Sequence, residues 1–238
     1  IYYFFVRNGT YLQLPVRSFV FAWSVVRNIL QIGFPASISM IVMSMGGMFF
    51  NRLISTFGSD AVAAYGIGGR LDSVYFLPTF ALASSMVTLT GMFLGAGRID
   101  LIRETVNYVF VRGQFMALVF GVLFYGIAPY VYVIFTDDAT IIAMAVSYIR
   151  TMVFAFPFIT IGVISGRIFQ GLGEGIPSLL LTAMRVVLVS GALAFLFVRV
   201  LSMGLESVWL ALALGAAITS TISFLWLRWR IGYLESCS

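Results

Sequence analysis

Two arginines stand where arginine is costly. Arg150 lies about eleven residues into one long apolar run and Arg185 about nine into the next, roughly 16 and 13 Å along a helix at 1.5 Å per residue. A guanidinium at that depth either snorkels to an interface on its long stem or pairs with a carboxylate supplied from elsewhere, and both readings stand for each residue. Arg52 and Arg112 sit near run ends, where snorkelling suffices. The acids offer little inside this chain. Asp72 comes nearest to a span, at the expected mouth of the second run, so a proton or Na⁺ relay built wholly here is not expected and a missing partner is implied.

The remaining candidates are softer. Met40, Met43, Ser44 and Asn51 share one broad face of the first run, and Tyr148, Phe154, Phe158 and Thr160 recur on the fourth. Methionine and aromatic walls adapt to varied ligands, and a cationic compound stacks on an aromatic face. Asn51 can offer its carbonyl to a cation and its amide to an organic ligand, or simply hydrogen-bond a neighbouring helix. Pro157, between Phe156 and Phe158, permits a bend that would move an aromatic wall; Pro35, Pro78 and Pro129 also fall inside runs. With Arg150 and Arg185 these residues make the candidate substrate cavity, against the plainer reading of helix packing or lipid contact for any one of them.

The elements that must hold these groups are membrane helices. Apolar residues make up 61% of the 238 and charged residues only 10%, against about 45–50% and about 25% in soluble domains. Six apolar runs, near 29–56, 73–96, 106–135, 139–167, 176–200 and 205–228, are long enough to cross a hydrocarbon core of ~30 Å. They are too long and too evenly apolar for barrel strands. Short polar pieces separate them, such as Gly58-Ser59-Asp60, Gly95-Ala96-Gly97-Arg98, Thr136-Asp137-Asp138 and Gly171-Leu172-Gly173-Glu174. Glycine supplies the left-handed residue that ends a helix, and Asp or Thr caps the next. The predicted fold is all-α, a six-helix polytopic bundle over 28–230, with tails over 1–27 and 231–238. Residues 1–6 read as the exit of an earlier helix, so the chain reads as a piece of a longer protein.

Arginine placement orients the bundle. Arg7, Arg17, Arg27, Arg98, Arg103, Arg112, Arg167, Arg228 and Arg230 fall on the side of the termini, nine against Arg52, Arg70 and Arg199 on the other. Both termini are therefore expected in the cytoplasm, with the protein in the inner (plasma) membrane. Ile99, Ile102, Val106 and Val109 recur at helical spacing beside Arg103 and Glu104, as either an elbow helix at the interface or the charged first turns of the third span. Gly91 with Gly95, and Gly162 with Gly166, have the spacing of close helix packing.

Several function classes fall away. The sequence has no histidine and no lysine, and its single Cys237 cannot form an internal disulfide. An intramembrane hydrolase needs a metal cluster or a nucleophile with its base, and neither is visible. No cofactor is expected. The net charge of +5 comes from arginines scattered singly, so no nucleic-acid surface is expected.

Three stretches, in order, resemble a known family. Gly33-Phe34-Pro35, Asn51 and Gly58–Gly68 form the first; Gly95-Ala96-Gly97-Arg98 the second; Tyr148-Ile149-Arg150, Phe156-Pro157-Phe158 and Gln170-Gly171-Leu172-Gly173 the third. Together they resemble the C-terminal half of a multidrug and toxic compound extrusion (MATE) transporter, over roughly 25–232. The resemblance implies twelve helices in two six-helix lobes related by an internal repeat, with the N-terminal lobe as the missing partner. It implies export of cationic or amphipathic organic compounds in exchange for Na⁺ or H⁺. In the NorM-type branch the opening helix carries a glutamate about eight residues after its proline; here that place is Met43, which puts the chain nearer the DinF-like branch, whose coupling carboxylate lies in the other lobe. The first-lobe repeat often has an Asp near the place of Asn51. A lipid-linked oligosaccharide flippase of the same superfamily is the alternative, favoured if Arg150 and Arg185 face one cavity. A non-transporting scaffold also remains open.

Overall fold

The computed structural model describes residues 22–237, and six long helices follow the six apolar runs. They are α1 (Trp23–Ile54, followed by a 3₁₀ turn Ser55–Phe57), α2 (Ser59–Gly95), α3 (Ile99–Tyr132), α4 (Ala139–Gly171), α5 (Gly175–Val200) and α6 (Glu206–Cys237). No strand occurs among the described residues. Residues 1–21, which include the apolar stretch 1–6, Arg7 and Arg17, lie outside them.

The helices outrun the apolar runs that announced them. α2 begins at Ser59 rather than near 73, because Ala61, Ala64, Gly68, Leu71 and Asp72 are buried at helical spacing through a glycine-rich stretch that also carries Arg70 and Asp72. This corrects the placement of Asp72: it lies thirteen residues into α2, about 20 Å along the helix, not at its mouth. α3 is one continuous helix from Ile99, and Ile99, Ile102, Val106 and Val109 are all buried against the protein. Of the two readings of that stretch, the charged start of the third span is the one formed. Residues 231–237 continue α6, and 23–27 belong to α1, where separate tails were expected.

Glycine turns set the connections. After α2, Arg98 N–H bonds Phe93 C=O at 2.9 Å and Gly97 N–H bonds Leu94 C=O at 3.1 Å, with Gly97 at φ 68°. After α4 the same pair recurs, Glu174 to Phe169 at 2.9 Å and Gly173 to Gln170 at 3.1 Å, with Gly173 at φ 82°. Both are Schellman closures, and a side chain at either glycine would strain the turn. At the opposite end Asp138 caps α4, its Oδ1 accepting from Thr140 N–H at 2.8 Å.

α4 is the central helix, packed by α2, α3 and α6. Half of its most apolar window is buried, against 17% for α1. Three successive carbonyls around its proline are gripped from three sides. Tyr75 of α2 donates to Phe156 C=O at 2.8 Å, Gln114 of α3 to Pro157 C=O at 2.9 Å, and Ser220 of α6 to Phe158 C=O. Small residues allow these approaches. A Cβ on Gly171 would stand 2.7 Å from Val87 C=O, one on Gly162 3.1 Å from Ser220 Oγ, and one on Gly166 3.5 Å from Ser178 Oγ, while nothing crowds Gly95.

α1 stands apart from α2 and packs chiefly on α5, where Gly175 meets the Ile32 backbone and Gly46 meets Val186. The connecting ends are polar. Arg103 pairs with Glu235 at 3.2 Å and Arg230 with Glu174 at 2.5 Å at the end that holds both Schellman turns. Between the ends the outer faces stay bare, Leu77 at 73% and Val122 at 75% exposure. Apolar surface on that scale needs lipid or a second lobe against it.

Candidate functional site

Asp72 and Arg185 both sit inside the bundle, in unlike surroundings. Asp72 is the first. Gly68, one turn earlier on the same face of α2, has no side chain, and the Tyr148 ring of α4 lies across the gap; a Cβ at Gly68 would overlap Tyr148 Cδ1. The ring so placed donates its hydroxyl to Asp72 Oδ2. Trp209 of α6 closes the pocket, edge-on to Tyr148 at 4.9 Å and stacked on Tyr65 at 5.8 Å. One turn further along α2, Tyr75 stacks on Phe156 at 3.9 Å; its proton is given to Phe156 C=O, so its oxygen accepts from the Thr160 hydroxyl. Asp72 Oδ1 and the Tyr132 hydroxyl are buried with no hydrogen-bond partner among the described residues, as is Trp209 Nε1. A carboxylate held by one hydrogen bond, with its second oxygen free, in a nearly closed aromatic box can take a proton there.

Arg185 is the second. It lines a cavity of about 220 Å³ between α1, α2, α4, α5 and α6. Met40, Met43, Phe76 and Phe80 form its apolar wall; Arg167, Gln170, Ser178, Thr182, Thr219 and Ser223 form the polar one. Arg167 donates to Gln170 Oε1 at 3.1 Å, and Gln170 in turn donates to Ser178 Oγ at 2.9 Å. Arg185 is the second residue of a π-helical stretch, Met184–Gly191. Two glycines fix that stretch from either side: Gly46 of α1 receives Val186, and Gly215 of α6 receives Ser190, and at neither glycine is there room for a Cβ. Such wide turns are rare and cluster at functional sites.

The expected cavity residues divide. Met40, Met43 and Arg185 line this cavity. Tyr148 and Thr160 belong instead to the buried network of Asp72 and Tyr75. Pro157 serves as an acceptor for Gln114 in the core. Ser44 and Asn51 are exposed on α1 outside the cavity, and Phe154 (70% exposed) and Phe158 (39%) face out from α4. Arg150 is exposed too, lying over the Tyr125 ring at 5.0 Å. Arg150 and Arg185 therefore do not face one cavity, which removes the feature that would have favoured a flippase. Among the described residues no group of three or more His, Cys, Asp or Glu could hold a metal ion.

The chain matches the MatE family model over residues 35–196. It belongs to the MatE family. It is 27% identical over 208 residues to the probable multidrug resistance protein NorM of Thermotoga maritima, covering 85% of this chain and 44% of that protein. It spans, then, about half the length of the curated relatives it matches. Among solved structures it superposes on a MATE protein in the straight conformation with a TM-score of 0.93 at 28% identity, covering 99% of this chain and 53% of that one. It superposes equally, at 0.93 and 28%, on an outward-facing multidrug resistance MATE transporter, covering 100% of this chain and 53% of that one. The six helices thus match one lobe of the solved MATE structures, and all six are long and apolar enough to cross a membrane.

Within this MatE lobe, Asp72 was misplaced by sequence reasoning, and Arg167, Gln170 and Ser178 were not singled out as cavity residues. The signal for Asp72 was present: Ala61, Ala64, Gly68 and Asp72 repeat at three- and four-residue spacing, which carries the helix back through the glycine-rich stretch. For Arg167 and Gln170 no signal existed, because their nearness to Arg185 depends on how α4 meets α5.

Proposed function

We propose that the chain is the C-terminal half of an antiporter that exports cationic or amphipathic organic compounds in exchange for H⁺, with Asp72 as a proton carrier in this lobe. The family supports multidrug efflux in general terms, and the half length of the match supports a second, N-terminal lobe as partner. The observation that carries the coupling is Asp72 itself: a buried carboxylate, one oxygen bound to Tyr148 and the other without a partner. The expectation that no relay lies wholly within this half rests on the lack of a deep acid, and the buried Asp72 removes that premise; the carboxylate expected in the other lobe rests instead on Met43 and is compatible with a second carrier here.

H⁺ suits this site better than Na⁺. A proton needs one oxygen and a hydrogen-bond partner. A hard cation needs several oxygens around it, and here the one hydrogen-bond partner of Asp72 among the described residues is the Tyr148 hydroxyl. Protonation would remove the charge and turn an acceptor into a donor. Because Tyr148 lies on α4 and Asp72 on α2, that change alters how two helices of the lobe are tied. The Arg98, Arg103, Arg167 and Arg228 end is assigned to the cytoplasm, with the protein in the inner membrane, on the arginine asymmetry.

The test uses the full reading frame in efflux-deficient cells, following a cationic dye while an H⁺ or a Na⁺ gradient is imposed. H⁺-driven efflux, abolished by Asp72→Asn, is the expected result. Efflux driven by Na⁺, or H⁺-driven efflux indifferent to Asp72→Asn, would sink the assignment of Asp72.

A further inference from the structure

We infer that the cavity at Arg185 is an anion-recognition site: it takes the phosphate or carboxylate head of an amphipathic molecule against the Arg185 guanidinium, while Met40, Met43, Phe76 and Phe80 hold the start of its apolar tail. The inference rests on the transporter reading for what the site is for, and on geometry alone for what it binds.

Charge is the first ground. Two arginines line the cavity and no Asp or Glu does. Arg167 is engaged with Gln170, which is engaged with Ser178. Arg185 has neither a hydrogen bond nor an ion pair among the described residues. A planar fork of five donors, unused inside a membrane lobe, is matched by a carboxylate or phosphate. A cationic ligand would meet two positive charges and no carboxylate.

The neutral hydroxyls supply no donor that would compete with Arg185. The hydroxyls of Ser39, Thr182, Thr219 and Ser223 each donate to a carbonyl of their own helix, at 3.0, 3.0, 2.6 and 2.7 Å. Their protons are spent, so they turn only acceptor oxygens toward the cavity. Those oxygens suit the hydroxyls or waters that accompany a polar head group. The donors for an anion therefore come from Arg185 first.

Shape is the second ground. The cavity, at about 220 Å³, falls below the range of about 300–1,000 Å³ usual for whole drug-sized ligands. It fits a head group with the first part of a chain. Met40, 73% exposed, stands at its open side, where a tail would leave. The π-helical stretch supplies the third ground. Val186 and Ser190 are locked into Gly46 and Gly215, so the backbone carrying Arg185 is held from both sides in a geometry that helices seldom adopt without a functional reason.

The experiment titrates the purified full-length protein, in neutral detergent and without any gradient, with two amphiphiles of equal tail, dodecyl phosphate and dodecyltrimethylammonium, and with inorganic phosphate. Bound molecules are counted by native mass spectrometry. Binding of the ammonium compound should be indifferent to Arg185, whereas one dodecyl phosphate should bind at the cavity. Arg185→Gln should lose that binding at least tenfold, Arg185→Lys should recover part of it, and Arg150→Gln should leave it unchanged. Inorganic phosphate bound as tightly as dodecyl phosphate, with the same dependence on Arg185, would keep the anion site and assign it to free anions. Ammonium binding that falls with Arg185→Gln as phosphate binding does, or dodecyl phosphate binding indifferent to Arg185, would overturn the inference. Should Arg185→Gln fail to fold, Met43→Trp narrows the cavity from its partly exposed wall; undiminished binding there would equally overturn it. Because no gradient is applied, failure here leaves the efflux reading to its own test, and failure of efflux leaves this binding result intact.

Discussion

Around Asp72 the lobe is closed, and around Arg185 it is open. The buried carboxylate sits under a tyrosine that rests on a bare glycine, with Trp209 and Tyr65 stacked beside it. The guanidinium faces a cavity that five helices leave unfilled. One site is built to hold a charge-changing group still, the other to admit something. The difference follows from helix spacing. α2 and α4 approach through Gly68 and Gly171 until side chains and backbone touch, whereas α1 leans on α5 and leaves α2 at a distance. On the two proposals above, the same lobe would separate a group that takes a proton from a cavity that takes an anionic head group.

The sharpest way to break this comparison is Asp72→Asn in the full-length protein. Asparagine keeps an acceptor for Tyr148 and cannot exchange a proton, so gradient-driven efflux should fall at least about tenfold, a difference of ~1.4 kcal/mol or more, while the melting temperature stays near that of the parent. A large fall in melting temperature with efflux retained would make Asp72 a structural group.

Gly68→Ala comes next. The new Cβ would run into the Tyr148 ring, and overpacking of a buried contact costs about 1–3 kcal/mol. Thermal unfolding in detergent should register it, and wild-type stability in this variant would mean that the ring has slack the closed site should not possess.

Tyr148→Phe should cost about 1–2 kcal/mol, because Asp72 Oδ2 is left buried without its donor. Ser178→Ala removes a hydrogen-bond partner as well, yet Gln170 can turn its amide into open space, so about 0.5 kcal/mol or less is expected. The ratio of these two losses measures the contrast directly, and equal losses would erase it.

How much of this was legible beforehand differs between residues. The six helices and the glycine turns at Gly97 and Gly173 have local signatures in composition, spacing or turn chemistry, whereas the central place of the Pro157 segment appears only in the packing. Met40 and Met43 were placed on the cavity side because helical periodicity orders residues along one face. Ser44 and Asn51, on the same broad face, do not line the cavity, since a face is wider than the opening it meets. Arg150 and Arg185 looked alike in sequence, each near ten residues into an apolar run. Only packing separates them: Arg150 turns out over Tyr125, and Arg185 turns in at a π-helical stretch.

The sequence by itself determined that this chain lives in a membrane, because 61% apolar residues in runs of helical length admit no other solvent. It also determined the number of helices and, through motif order, the family. The tertiary structure decided which polar groups meet. Asp72 became a buried site rather than a span mouth when α4 laid Tyr148 across Gly68, and the cavity acquired its charge when α4 and α5 brought Arg167 and Arg185 to one wall. Those encounters depend on interhelical distances set by small residues on different helices, and spacing along one helix carries no record of the helix that will lie against it.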